Sequence, residues 1–215
     1  MIANYIKPDY SNLRTFVINL DDYRENYEKQ LPYLQNIGLK PERVNGINAL
    51  KDEHLNPEYK QYISSYAFNF TPKSIIGCTL SHTLCCKLIY DNYIKKPLNI
   101  NEKIYFLIME DDAFPIYNNK DFYENLNKTV SDIEILDSKW EIIQLHSDAF
   151  YPTQDTYNTH FACGSTAAYL ISTVGIIKNL ESKILSYSDF IIIILFDFEN
   201  IGQKKIYFIQ MKKIV

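Results

Sequence analysis

Apolar positions along the chain fall into two kinds of pattern. Short unbroken runs alternate with longer segments in which apolar residues recur every three or four positions. Thr15 to Leu20 is β-branched and apolar and stops at Asp21-Asp22, which predicts a buried strand with an aspartate capping the helix after it. That helix is predicted to run to about Asn36, kinked or divided at Pro32 and stopped at Gly38. Arg43 to Ile47 reads as a short second strand entering a turn. Leu50 to Pro72, polar and rich in tyrosine, reads as loop and short helix, a candidate mobile lid.

Ile76, Leu80, Leu84 and Leu88 recur every fourth residue, which predicts a helix from Ile75 to about Ile94 capped by Ser74. Lys103 to Met109 is the clearest strand, apolar nearly throughout as a strand covered on both faces should be. Asp121 to Leu136 follows as helix, Trp140 to Leu145 as strand, and His146 to His160 as a polar loop. Thr166 to Ile171 reads as a strand, and Ser172 or Thr173 caps a helix to about Leu185. Phe190 to Phe196 and Ile206 to Ile209 are candidate strands in a tail that fits no pattern. Alternation of strands and helices predicts an α/β domain with a mainly parallel sheet flanked by helices.

Composition narrows the class. The 215 residues are 47% hydrophobic and 22% charged with net charge −4, as expected of one folded domain. No basic run marks a nucleic-acid partner. The longest apolar run has seven residues, against about 20 for a transmembrane helix. The N-terminus lacks the apolar core of a secretory signal, so a cytoplasmic location is expected, in host cytoplasm or virion for a viral source. Cys78, Cys85, Cys86 and Cys163 form no Cys-x-x-Cys pair and read as buried free thiols. The Asn-x-Ser/Thr matches at Asn69 and Asn127 carry little meaning without a leader. Ile, Asn, Lys and Tyr make up 86 of 215 residues, and Lys outnumbers Arg 19 to 3. These residues have AT-rich codons, which reflects the source genome rather than the chemistry.

The sharpest chemical signal is Glu110-Asp111-Asp112 directly after the most apolar strand. Ligands of open α/β sheets bind beyond the carboxyl ends of strands. Adjacent carboxylates there repel one another unless a cation sits among them, and such hard oxygen donors suit Mg²⁺ or Mn²⁺ bridging to phosphates. A solvated acidic turn is the alternative. Ser81-His82 lies on the striped helix, where a packed histidine is the commoner role. Gly46 reads as a turn glycine, Gly77 as a point of close backbone approach, and Trp140 as core or as the wall of a sugar site.

Taken in order, several segments resemble the family 25 glycosyltransferases, which include lipooligosaccharide and collagen hydroxylysine galactosyltransferases. They are Phe16 to Asp21 with Arg24, Val44 to Ile47, Gly77 to His82, Leu107 to Ala113, Trp140 to Leu145 and Gly164 to Ser172. The resemblance covers about residues 14–189, with 1–13 as an N-terminal extension and 190–215 as an atypical tail. It implies a GT-A-like nucleotide-diphospho-sugar transferase fold. It also implies metal-dependent, inverting transfer of a hexose, galactose favoured and glucose possible, from a UDP-sugar to a hydroxyl on a glycan or a hydroxylysine-type residue.

By position, the resemblance implies that Asp112 ligates Mn²⁺ (or Mg²⁺), with Glu110 a second ligand or facing ribose or sugar, and Asp111 binding the donor. Asn19 and Leu20 would lie near the uracil. Arg24 would help bind the donor, a role no better supported than that of an exposed helical arginine. Asn45-Gly46 would shape the nucleotide pocket, and Ser81-His82 would approach the donor from the helix. Asp189, or else Asp148, is the candidate general base, with a surface or capping role the alternative for each. The short stretch after Asp189 and the lack of any histidine after His160 depart from the family pattern. They motivate a second reading, a truncated non-catalytic relative that binds nucleotide sugar or a partner protein. A sugar-nucleotide hydrolase is the third. AT-rich composition and collagen-type relatives suit a large DNA virus or an AT-rich bacterium, with lipopolysaccharide biosynthesis the setting in the latter.

Overall fold

The structure, a computed structural model, describes residues 13–51, 55, 57–95, 104–115, 119–145, 158–159, 166–181 and 207–208. Its elements run β1 (Arg14–Asn19), a 3-10 turn (Asp21–Tyr23), α1 (Arg24–Asn36), β2 (Pro41–Asn45), α2 (Pro57–Lys60), α3 (Ser65–Phe70) and α4 (Lys73–Ile89). A π-helical turn (Tyr90–Ile94) extends α4. Then come β3 (Tyr105–Glu110), α5 (Asn119–Leu136), β4 (Ile142–Gln144), β5 (Asn158–Thr159), β6 (Ala168–Ser172), α6 (Thr173–Glu181) and β7 (Tyr207–Phe208). None of the described helices is long and apolar enough to cross a membrane.

The strands form one sheet in the order β2-β1-β3-β6-β4-β7-β5. Strands β2, β1, β3, β4 and β7 share a direction, while β6 and β5 run against it. The expectation of an α/β domain with a mainly parallel sheet therefore holds. The period-two rule sorts each central strand onto two faces. Val17, Leu107, Met109, Ile143 and Leu170 pack with Leu34 of α1 and Phe122, Leu126, Val130 and Ile133 of α5. Phe16, Ile18, Phe106, Ile108, Ile142 and Ile171 pack with Cys85, Cys86 and Ile89 of α4 and Ile176 of α6. Both faces of the sheet are thus covered, which is why Phe16 to Ile18 of β1 and Phe106 to Met109 of β3 are unbroken apolar runs rather than alternating.

Several local expectations change. The helix through residues 24–36 is not divided at Pro32. Pro32 and Glu28 are both exposed, so the carbonyl that proline leaves without a partner faces water. Asp21 and Asp22 make no cap; the Asp21 carboxylate binds side chains of β2 and the Asp22 carboxylate binds Lys51 beyond it. Gly38 does end α1: it takes φ 84°, its N–H donates to Gln35 O, and Leu39 N–H donates to Leu34 O. This is the six-to-one and five-to-two pattern of a Schellman stop. Helix α4 begins at Lys73 after Pro72, with Ser74 inside it rather than capping it. Ser172 caps α6 as expected, its Oγ accepting from Gly175 N–H at 3.1 Å. The Phe190–Phe196 run, Cys163 and the end of the last helix lie outside the described residues.

Candidate active site

The sheet order puts the chain's first reversal between β1 and β3. From β1 the chain crosses to β2 on one side, then returns to β3 on the other. At such a switch point the two connections diverge and leave a crevice beyond the carboxyl ends of the strands. The residues at those ends are Asn19 of β1 and Glu110 of β3, with Asp111 and Asp112 following. Ile18 is in register with Glu110, so Asn19 lies beside Asp111.

Asn19 is buried and bonded on every side. Its Nδ2 donates to Asp111 Oδ2 (2.5 Å) and to Tyr23 O (2.8 Å), and its Oδ1 accepts from Arg43 Nε (2.7 Å). Arg43 Nη2 reaches Asp21 Oδ1 at 2.7 Å, and Asn45 Nδ2 donates to Asp21 Oδ2 at 2.8 Å. Arg43 and Asn45 share one face of β2 by the strand period. The result is a polar web along the upper rim of β2, β1 and β3. Beside it, Asp22 accepts from Asn48 Nδ2 (3.1 Å) and Lys51 Nζ (2.8 Å). Arg43 holds the Asp21 carboxyl below the usual carboxylate range, with Asn45 adding to the effect.

The acidic triplet separates. Asp111 joins the Asn19 web and Asp112 is exposed. Glu110 turns toward α4 and the start of β6, where its Oε1 accepts from Thr166 Oγ1 and lies 3.1 Å from His82 Nε2. His82 is fully buried, and its Nδ1 is 2.8 Å from Tyr169 Oη. Burial alone would push the imidazole pKa down, yet the bonds to Cys78 and Glu110 hold it up at about 9. Burial in turn would raise Glu110, and His82 outweighs it and holds the carboxyl below its ordinary value. The protonated ring then donates from both nitrogens, to Glu110 and to Tyr169. From the other face, buried Gln30 Nε2 donates to Glu110 O (2.8 Å) and Ala113 O (2.5 Å), which pins the turn carrying Asp111 and Asp112 to α1.

Two close approaches set this geometry. A Cβ on Gly77 would lie 2.6 Å from Ile47 O, so α4 reaches the segment after β2 only because residue 77 is glycine. Ser81 Oγ then accepts from Ile47 N–H and donates to Gly77 O, both at 2.7 Å. The accepted bond holds α4 to that segment, while the donated one closes back onto α4's own backbone. Gly46 sits under Leu20, whose Cδ2 would be 3.0 Å from an added Cβ.

Of the residues singled out from sequence, Asn19, Asn45 and Asp111 converge on this rim, with Leu20 and Gly46 beside them and Asp112 at its outer edge, while the Glu110 side chain turns inward to His82 and Thr166. Ser81 and His82 lie behind it, buried. Arg24 is exposed on α1 and pairs with Glu28 at 3.4 Å. Asp148 and Asp189 lie outside the described residues. Sequence reasoning passed over Arg43, Gln30, Thr166, Tyr169 and Cys78 as site residues. Two of these carried a signal. Cys78 and His82 are four apart on one helix and therefore share a face. Arg43 is two residues before Asn45 in a strand, on the same face, opposite the Asp21-Asp22 pair.

Hard carboxylate oxygens suit Mn²⁺ or Mg²⁺. The exposed Asp112 at the strand end fits such an ion. Glu110 Oε1 is already held by Thr166 and His82.

No curated protein is significantly similar to the chain. The profile of glycosyltransferase family 25, described as an LPS biosynthesis protein family, matches residues 12–185, the span holding the switch-point crevice and every described residue of its rim. With well over half its length matched in this way, the chain belongs to glycosyltransferase family 25.

Proposed function

We propose that this glycosyltransferase moves a hexose, galactose in preference to glucose, from a UDP-sugar to a hydroxyl of a glycan or hydroxylysine-type acceptor, with inversion. The carrying observation is the position of the acidic turn: Asp111 and Asp112 follow β3 at the topological switch point, beside Asn19 at the end of β1. That crevice is where an α/β sheet receives a nucleotide.

The residues take these parts in the proposal. Asn19, Leu20, Asn45 and Gly46 border the nucleoside, with Arg43 and Asp21 holding Asn19 and Asn45 in place. Asp111, fixed by Asn19, faces the donor. Arg24 is a peripheral donor contact. Asp112 would hold a divalent cation, Mn²⁺ or Mg²⁺, which when bound neutralises charge on the departing diphosphate. Glu110 supports the turn from below through His82 and Thr166. The acceptor oxygen forms a bond to the anomeric carbon as the bond to the diphosphate oxygen breaks. UDP leaves with that electron pair, and the acceptor proton passes to a general base, proposed as Asp189 or Asp148.

The test is UDP release from a panel of UDP-sugars, with and without Mn²⁺, for wild type and Asp112→Asn, with mixed glycan and hydroxylysine-peptide acceptors. Wild type should release UDP from one UDP-hexose, faster with an acceptor. Asp112→Asn should lose at least about 100-fold, the scale of removing one transition-state charge stabiliser. Full activity in Asp112→Asn sinks the assignment. UDP binding without turnover favours a non-catalytic relative, and release that no acceptor redirects favours a hydrolase.

A further inference from the structure

Beneath the acidic turn, four side chains from three segments meet at one point. Cys78 and His82 project from the same face of α4, Glu110 from the end of β3, and Thr166 from the segment leading into β6. Cys78 Sγ, His82 Nε2 and Glu110 Oε1 all lie within 4.8 Å of one another. The sulfur is 3.8 Å from Glu110 Oε1 and 3.9 Å from Thr166 Oγ1, and the imidazole nitrogen is 3.1 Å from the same carboxylate oxygen. Thr166 Oγ1 also donates to that oxygen. Three groups thus converge on one carboxylate oxygen, which offers about two lone-pair directions. Hydrogen bonding alone satisfies such a cluster poorly, whereas a cation at its centre satisfies it well.

The geometry points to a zinc site formed by Cys78, His82 and Glu110, with a water as fourth ligand, separate from the cation proposed at Asp112. Tetrahedral zinc with Zn–S about 2.3 Å and Zn–N or Zn–O about 2.0 Å places neighbouring ligand atoms about 3.3–3.6 Å apart. The observed 3.1 and 3.8 Å bracket that range. A thiolate, an imidazole and a carboxylate form the mixed set that zinc takes and that Mg²⁺, Ca²⁺ and Mn²⁺ do not favour. Thiolate and carboxylate together neutralise the dication, so a largely buried site carries no net charge. Binding releases the Cys78 thiol proton and any proton on His82 Nε2 to solvent. Tyr169 supplies the outer support: His82 Nδ1–H donates to its Oη at 2.8 Å, which leaves Nε2 directed at the metal. The site ties α4 to β3 and to the segment before β6 and does not depend on the donor or acceptor proposed above.

The purified full chain is loaded with zinc chloride, freed of loose metal by gel filtration in metal-free buffer, and its zinc measured by mass spectrometry. Wild type should retain about one zinc per chain, and Cys78→Ser or His82→Ala should retain about a tenth of that or less. Cobalt in place of zinc should give a near-ultraviolet thiolate-to-metal band that is lost in Cys78→Ser and kept in Cys163→Ser and in Asp112→Asn. Circular dichroism checks that each variant folds. Zinc absent from loaded wild type overturns the site by itself, whatever the variants do. So does zinc retained undiminished in folded Cys78→Ser. Zinc retained in an Asp112→Asn chain that no longer binds UDP with Mn²⁺ separates this site from the proposed donor site.

Discussion

Two polar webs hang from the end of β3, one on each side of the acidic turn, and they obey different energetics. The rim web joins Asp111, Asn19, Arg43, Asp21 and Asn45, of which Asp21 and Asn45 are exposed. The inner web joins Glu110, His82, Tyr169 and Thr166, and His82 and Tyr169 are buried. In water, an ion pair such as Arg43–Asp21 contributes little to stability, and its use is to fix side chains where a ligand arrives. Away from water, removing one partner leaves an uncompensated buried charge. One turn of chain is therefore held rigidly from below and left solvated above. That arrangement suits a site that presents Asp112 to a charged donor while keeping its own backbone still.

The largest effect should come from breaking the inner web. In chelator-treated protein, His82→Ala leaves the Glu110 carboxylate half-buried without its cation and should cost about 3–5 kcal/mol, read from urea unfolding midpoints. The double change His82→Leu with Glu110→Leu should cost less than the two single changes together, because no charge is then left alone. Additive costs would show that the two groups do not act as a pair. Tyr169→Phe removes the acceptor of the bond from the far nitrogen of the charged ring and should cost about 1.5–3 kcal/mol.

Next comes the junction between the webs. An alanine at Gly77 would place Cβ 2.6 Å from Ile47 O, a backbone atom that cannot swing aside. Gly77→Ala should cost about 1–3 kcal/mol by forcing α4 away from the segment after β2. The disturbance should stay on the α4 side. If UDP affinity falls as far as stability does, the two webs are more tightly linked than their hydrogen bonds indicate. Asn19→Ala tests the other side. It removes three contacts of a buried amide, should cost about 1–2 kcal/mol, and should weaken UDP binding further by releasing Asp111. Calorimetry with UDP and Mn²⁺ measures that second effect.

How far this was legible in the sequence differs between the same two regions. β1 and β3 were readable because a strand covered on both faces carries an unbroken apolar run at its centre, and the acids that end β3 stand out against that run. Family 25 segments in order then singled out the same acids as the expected donor and metal site. The inner web was harder to read. The stripe Ile76, Leu80, Leu84, Leu88 suggested a helix with one apolar face, yet Thr79, Ser81, His82 and Thr83 are buried too. Their hydroxyls are satisfied locally: Thr79 bonds Ile75 O, Ser81 bonds Gly77 O and Thr83 bonds Thr79 O. A polar residue that bonds back to its own helix looks exposed in a sequence and is at home in a core. Asp21 and Asp22 misled in the opposite way. They have the form of a helix cap, but Arg43, Asn45, Asn48 and Lys51 compete for them, and these partners are remote in sequence.

The smallest effect should appear at Asp21, where the rim web is most open to water. Arg43 holds the Asp21 carboxyl below its ordinary value in the folded chain. A depressed carboxylate contributes stability that is present above the unfolded-state pKa and lost as pH falls through the folded-state pKa. Wild type should therefore exceed Asp21→Asn slightly in urea midpoint near neutrality, with the gap closing in the acid range below the usual carboxylate titration. High salt should narrow the gap at neutral pH, because this carboxylate is 65% exposed and its attraction to Arg43 is screened. The inner web should respond far less to salt, since burial excludes the screening ions. A gap at Asp21 that widens with acid, or that 1 M salt leaves untouched while the His82→Ala cost shrinks, would reverse the contrast between a solvated rim and a buried support.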